Sequence, residues 1–237
     1  SLHDALPICM QPPRILAEVS ADGLLLGYAQ GELPPLLASL ESDGRLPIVW
    51  INRKEERCCV HPDDRGGGAN AVAHLVALGH RRIAYLGFSR SAHYSMADRR
   101  AGYRDGMQAA GLAPMEPEGP GESLAWPQRI REILQAPGRP TALVCGGGEA
   151  GPAIIAAQSA GLRVPDDLSV VGVGETLADY AGVRQSAARV KFVQLGIEAV
   201  RTLLRRIADP AAPCPPVAMP VEVEARGSCG PAPQGAR

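Results

Sequence analysis

The spacing with the clearest chemical meaning is Gly146-Gly147-Gly148-Glu149-Ala150-Gly151, a GxGxxG run that follows the apolar segment Thr141–Cys145 and precedes a helical pattern. Glycines in such a turn bare their backbone amides at a helix N-terminus, where a pyrophosphate can sit. Glu175 lies 24 residues past the third glycine, about where a ribose-binding acid is found. Position in the chain opposes a dinucleotide site. The fingerprint belongs on the first strand of a six-stranded sheet, whereas 62 residues follow Glu175 with no clean strand–helix alternation. No histidine occurs after His93 to act downstream as an acid or base. The plain alternative is a glycine-rich turn opening a helix beside a cleft, with Gly147 and Gly148 as candidate contacts.

Other positions carry chemistry only in combination. Asp63 and Asp64 fall at a strand-to-helix turn, where capping accounts for one and leaves the other for a cleft. Ser95 and Asp98 form a capping box, and capping explains Ser95 as well as a ligand contact would. Arg99 falls in the first turn of that helix, where a cation opposes the dipole. That small cost points to a ligand, the plain alternatives being a solvated side chain or pairing with Asp98 or Glu175. Glu175 follows an apolar run, at the strand end where open sheets place ligands. The six cysteines, at 9, 58, 59, 145, 214 and 229, show neither a CxxC pair nor a histidine at ligand spacing. No metal and no cofactor is expected, and the thiols suit a reducing cytoplasm.

Positioning these residues takes alternating elements. Gly23–Tyr28, Ile48–Asn52, Arg82–Phe88, Thr141–Cys145 and Ser169–Val173 have the unbroken hydrophobicity of strands covered on both faces. Between them a helix starts at Asp64 and stops at Gly79, a second runs from Ser95 to Gly111, a third lies around Ile130–Leu134, and a fourth runs from about Gly151 to Gly161. Later, Arg189–Val193 reads as a strand or extended crossing, Leu195–Ile207 as a helix and Val217–Glu224 as a last strand, after a proline-rich linker. The alternation predicts an α/β fold with parallel sheets flanked by helices.

With 24 basic and 25 acidic side chains in 237 residues, 46% apolar, the composition is that of a globular protein. It offers no broad attraction to a phosphate backbone, so the chain by itself is a poor DNA binder. The most apolar stretch, Ala142–Leu162, is broken by Glu149 and Gln158, and no membrane partner is expected. Ser1–Ile8 lacks the form of a signal peptide, and Ala5-Leu6-Pro7-Ile8 matches a translated sequencing adaptor, so residues 1–21 are set apart as a non-native or unstructured start.

Several segments together carry a resemblance. Asp63-Asp64-Arg65-Gly66-Gly67-Gly68, followed by His74-Leu75-Val76-Ala77-Leu78-Gly79-His80-Arg81-Arg82-Ile83-Ala84, resembles the "DN…GA…HL..LGHRRIA" stretch of the lactose-repressor-type (LacI/GalR) transcriptional regulators. Arg99-Arg100-Ala101-Gly102-Tyr103-Arg104 is similar to that family's "R..GYR" and Pro140–Cys145 to its "PTAVFC". Gly161-Leu162-Arg163-Val164-Pro165-Asp166-Asp167-Leu168-Ser169-Val170-Val171-Gly172 is close to its "GLRVPEDLSVVG".

The resemblance implies a two-lobed fold like that of type I periplasmic sugar receptors. A small sugar-like or polar effector would sit between the lobes and alter operator affinity through a helix-turn-helix domain. Lobe one would hold about 22–87 and 175–208, lobe two about 88–174 and 217–226, and 227–237 would be a disordered tail. The helix-turn-helix and two strand–helix units precede the segment that Ala21–Leu24 matches, so lobe one should lack strands and expose backbone donors and apolar faces. The resemblance further implies a cytoplasmic homodimer without enzymatic activity, with Arg99 touching effector. On that basis Arg99→Ala should abolish effector-dependent stabilisation and leave unliganded melting unchanged. Two sites depart from the family: Gly146–Gly148 stand where it carries Asn-Asp, and Gly174-Glu175 where it carries Asp-Asp. Those carboxylates hold sugar hydroxyls, so their replacement points to a more acidic or less hydroxylated effector, or to a degenerate site. A transporter's solute receptor and a nucleotide-binding enzyme working through Gly146–Gly151 are the alternatives.

Overall fold

The computed structural model describes residues 21–27, 46–89, 91–119, 126–174 and 177–234. Glu175 and most of the expected non-native start lie outside these residues. Two compact units are present. One comprises the described residues up to His61 with Phe192–Met219, and the other Pro62–Lys191 with Pro220 onward.

The second unit is built on a five-stranded sheet. Taking the first unit's strands as β1 (Leu24–Leu26), β2 (Ile48–Ile51) and β3 (Cys59–Pro62), the following ones are β4 (Ile83–Leu86), β5 (Ala142–Cys145), β6 (Ser169–Val173), β7 (Asp179–Tyr180), β8 (Val183–Arg184) and β9 (Ser186–Arg189). The last two are β10 (Val217–Met219) and β11 (Glu222–Glu224). The order is β11-β9-β6-β5-β4, parallel from β4 to β9, with Ile83 opposite Ala142, Ala142 opposite Ser169 and Val171 opposite Ser186. β11 closes one edge antiparallel to β9, and β7 and β8 form a small hairpin.

Successive side chains on a strand face opposite ways, and here both ways lead into a core. Ala84, Leu86, Leu143 and Cys145 meet α3 (Trp126–Gln135) and α4 (Ala150–Ser159) through Ile130, Leu134, Ala153 and Ile154. Ile83, Tyr85, Ala142 and Val144 meet α1 (Asp64–Ala77) and α2 (Tyr94–Ala109) through Val72, Leu75, Tyr103 and Met107. Burial on both faces is why these strands read as unbroken apolar runs. The α/β architecture with helix-flanked parallel sheets is therefore present.

Several boundaries differ from the sequence reading. The helix at Asp64 and β4, both expected in the first lobe, belong to the second unit, because β4 pairs with β5 and α1 packs on β6, β9 and α2. Residues 179–189, also expected there, supply β9 to the same sheet. Val217–Glu224 is two strands in two sheets, divided at Pro220. β3 and the β7–β8 hairpin, short and without a long apolar run, have no counterpart in the prediction.

The expected disordered tail is docked over its described part, through Gln234. Val170 N–H donates to the Ser228 carbonyl at 2.8 Å, and Ala232 N–H to the Leu78 carbonyl at 2.9 Å. Ser186 N–H donates to Ser228 Oγ at 2.8 Å, and Gly230 N–H to Ser169 Oγ at 3.0 Å. Buried His80 holds the same stretch, with Nδ1 2.9 Å from Thr141 Oγ1 and Nε2 3.1 Å from the Gly230 carbonyl. Glycine and proline give this segment the composition of a disordered one. Its backbone groups nonetheless find fixed partners on the sheet.

In the first unit the order is β1-β2-β3-β10, with Leu24 opposite Ile48 and Trp50 opposite Cys59 in parallel register. Helix α5 (Phe192–Ala208) covers one face, bringing Leu195, Ala199 and Leu203 against Val49 and Val60. The other face carries Ile48, Trp50 and Cys59.

Candidate functional site

Parallel strands β4, β5 and β6 end together, so their following turns, Gly87–Ser89, Gly146–Gly148 and Gly174, gather at one end of the second unit's sheet beside the start of α2. Ligands of open α/β sheets bind at this end.

Asp63 is the N-cap of α1, its Oδ1 accepting the Gly66 N–H at 2.9 Å. Asp64 is the first helical residue. Its side chain is fully buried, and Oδ1 accepts from Arg99 Nε at 2.7 Å while Oδ2 has no hydrogen-bond partner among the described residues. Burial pushes the Asp64 carboxyl up, against the pull of the Arg99 guanidinium. Arg99 Nη1 also donates to the Gly146 carbonyl at 2.8 Å, and its guanidinium occupies the space a side chain at Gly174 would need. Arg99 is the sixth residue of α2, beyond the first turn, so the expected conflict with the helix dipole does not arise.

The cap of α2 is His93 and not Ser95. Nδ1 of His93 accepts the Ser95 N–H at 3.3 Å and lies 2.8 Å from Ser95 Oγ. Ser95 is buried and serves to orient His93.

Glycines 146–148 turn tightly, with φ +103° at Gly148. The amides that would cradle a phosphate are already engaged by Glu149, a residue the sequence reading passed over. Its buried carboxylate accepts from Gly147 N–H at 2.7 Å, Phe88 N–H at 2.7 Å and Ser89 N–H at 3.1 Å. Burial raises the Glu149 carboxyl and these amides lower it. A carboxylate of the chain itself thus fills the anion position that the GxGxxG reading assigned to a pyrophosphate. The one available signal was a charged residue inside a glycine run at a helix start.

Beside these turns lies a pocket of about 450 Å³. Tyr85, Ser89, Ser91, His93, Tyr94 and Arg100 line it, and Gly147 packs behind Ser89, where an added Cβ would lie 2.5 Å from Ser89 Cβ, 3.1 Å from Glu149 Oε1 and 3.4 Å from Met96 Sδ. Arg100, over the Tyr85 ring at 5.8 Å, and Arg104 both pair with Glu116. The structure therefore joins Asp64 to Arg99 and Arg99 to Gly146, and holds Ser95 against His93 and Gly147 against Glu149. Asp63 is occupied in capping, Gly148 faces solvent, and Glu175 lies outside the described residues. Among the described residues no cluster of acids, histidines and cysteines is arranged to hold a metal, and no helix is long and apolar enough to cross a membrane.

Residues 72–229 match the family described as the periplasmic binding protein-like domain. The arabinose metabolism transcriptional repressor of Geobacillus stearothermophilus is 34% identical over 175 residues, which are 68% of this chain and 47% of that protein. The chain belongs to the LacI/GalR family. The HTH-type transcriptional repressor PurR of Escherichia coli is also 34% identical, over 67% of this chain and 48% of its own length. The chain spans about half the length of these curated relatives. Among solved structures, the transcriptional regulator CelR in complex with cellobiose has a TM-score of 0.71 at 26% identity, over 91% of this chain and 68% of its own. A LacI-family regulator from Mycobacterium smegmatis has 0.70 at 27% identity, over 92% of this chain and 82% of its own. These relatives of the LacI/GalR chain are regulators, not enzymes or transporter receptors.

Proposed function

We propose that this chain is the effector-sensing part of a transcriptional repressor, and that its effector is a small polar metabolite carrying an acid or phosphate group. The effector would bind in the 450 Å³ pocket at the carboxyl ends of β4 and β5. The observation that carries the reading is the lining among the described residues: hydroxyls, aromatic faces, His93 and two arginines, with no aspartate or glutamate among them. Neutral polyols are held by carboxylates that accept from their hydroxyls, whereas donors favour ligands rich in acceptors. Arg100 and Arg104 share the single carboxylate of Glu116, leaving net positive charge at the rim. Arg99 acts from behind, fixing the Gly146 turn against α1. In the whole protein, a cytoplasmic homodimer, effector binding would change operator affinity through a helix-turn-helix domain outside this chain.

Thermal-shift and calorimetric titration with matched pairs, each aldose against its sugar acid and its phosphate, tests the reading. The acidic member of a pair should bind at least tenfold more tightly, and Ala97→Trp, which fills the pocket from its rim, should abolish binding without lowering the unliganded melting temperature. Equal affinity for the neutral sugar, or unchanged binding in Ala97→Trp, would refute it.

A further inference from the structure

A second chemically distinctive cluster lies in the first unit. Cys58, at the turn before β3, and Cys214, in the linker after α5, are joined through their backbones, the Cys58 N–H donating to the Cys214 carbonyl at 2.7 Å. The Cys214 thiol is also near enough to Cys58 to disfavour a thiolate there. A backbone hydrogen bond between two segments brings them into the range of Cα separations that disulfides span. Cys59, although adjacent in sequence, is turned away, its Sγ donating to the Glu55 carbonyl at 3.2 Å.

Cys214 forms part of the wall of a cavity of about 260 Å³, with Glu198, Thr202, Arg205 and Arg206 around it. Arg206 donates through Nη1 to the Pro210 and Ala212 carbonyls, and its buried Nε has no hydrogen-bond partner among the described residues. The same guanidinium is near enough to Cys58 to favour a thiolate there. Burial and the neighbouring Cys214 outweigh it and push the Cys58 thiol up to about 12, so Cys58 keeps its proton.

We propose that Cys58 and Cys214 are a peroxide-oxidisable thiol pair, a modification site in the first unit separate from the effector pocket. Cys214, reached through the cavity, attacks one oxygen of a hydroperoxide. The O–O bond breaks, Cys214 becomes a sulfenic acid, and the departing oxygen takes the Cys214 proton and leaves as water or alcohol. Cys58 Sγ then attacks the sulfenic sulfur. The S–O bond breaks, and the hydroxide takes the Cys58 proton and leaves as water. Two thiols are oxidised by two electrons and the peroxide is reduced. The disulfide would tie the entry to β3 to the linker before β10, adding a redox input to the first unit.

The test uses the full chain with Cys9→Ser, since Cys9 lies outside the described residues. One equivalent of hydrogen peroxide, followed by non-reducing peptide mass mapping, should yield a Cys58–Cys214 peptide lighter by two hydrogens, with Cys59, Cys145 and Cys229 still alkylated. In Cys58→Ser the reaction should stop at a sulfenic acid on Cys214, trapped by dimedone. Arg206→Leu should slow closure of the disulfide from the sulfenic acid, because the guanidinium favours the thiolate of Cys58. A link through Cys59 or between chains, or all five remaining thiols still reduced, would overturn the proposal, and neither result depends on substituting Cys58 or Cys214.

Discussion

The two units draw on the same apolar residues and cover them to different degrees. In the second, every residue of β4, β5 and β6 is buried, with helices on both faces. In the first, all three residues of β1 are half-buried, and α5 is apolar on its outer side as well as its inner one. Val193 is 72% exposed and Leu204 58%, with Ile197 and Val200 between them. An exposed apolar stripe of this kind on a helix marks an association surface. The second unit's stability is therefore set by tight contacts that cannot be loosened. The first unit's is set by how much it leaves uncovered.

The hardest break to that contrast is Arg99→Ala. Removing the guanidinium leaves the Asp64 carboxylate in a site where its side chain has no exposure, and the second unit should lose about 3–5 kcal/mol. This revises the expectation of unchanged unliganded melting, which treated Arg99 as a ligand contact alone. Without Arg99, burial raises the Asp64 carboxyl further, so between its unfolded value and its folded one the folded state binds the extra proton. The loss should shrink as pH falls towards 5. Urea denaturation at pH 7 and 5 measures this, and Arg99→Met with Asp64→Leu should recover most of the stability.

A smaller loss is expected where α1 and α2 cross. A Cβ at Gly102 would collide with the Arg65 carbonyl oxygen and lie 2.8 Å from its carbon and 3.1 Å from the Ala69 nitrogen, all of it backbone. Gly102→Ala should cost about 1–3 kcal/mol by forcing the helices apart, seen as a lower urea midpoint. An unchanged midpoint would mean that the crossing is slack and the contrast between the units overstated.

The docked tail gives a pH signature to the second unit. Burial lowers the His80 imidazole below its usual value, with the Gly230 carbonyl pulling the other way, and burial also lowers His74. The unfolded chain then binds more protons than the folded one between the depressed value and about 6.5. This contribution is complete at pH 7 and fades as pH falls through that window. The slope of stability with pH between 7 and 5.5 should therefore flatten in His80→Gln, which cannot titrate. An identical slope would remove His80 as its source.

Most strands and helices were legible because doubly covered strands need unbroken apolar runs and helix ends need glycine, as Gly79, Gly111 and Gly161 show with φ of +91°, +67° and +77°. The unit boundary was not, since whether β4 pairs with β5 or with an earlier strand is decided by packing far along the chain. At the site, Arg99 and Asp64 were each singled out, but their union across 35 residues left no local trace. Glu149 was hidden by a motif that prices it as a spacer, although its carboxylate determines why no phosphate fits there. The tail was misread because composition reports what a segment is made of and not whether Ser169 and His80 await it.

The smallest effect separates the units most cleanly, because it repeats the glycine-to-alanine change with the opposite sign. Gly196 lies inside α5, and a Cβ there would meet nothing within 4 Å. Alanine removes backbone freedom from the unfolded chain and improves helix propensity, so Gly196→Ala should stabilise the first unit by about 0.5–1 kcal/mol. In a thermal scan this is a rise of roughly 1–4 °C. A loss in place of a gain would mean that the outer side of α5 is already packed against another molecule. In that case diluting the protein should restore the gain, which makes the sign of one methyl group a readout of whether the apolar stripe is covered.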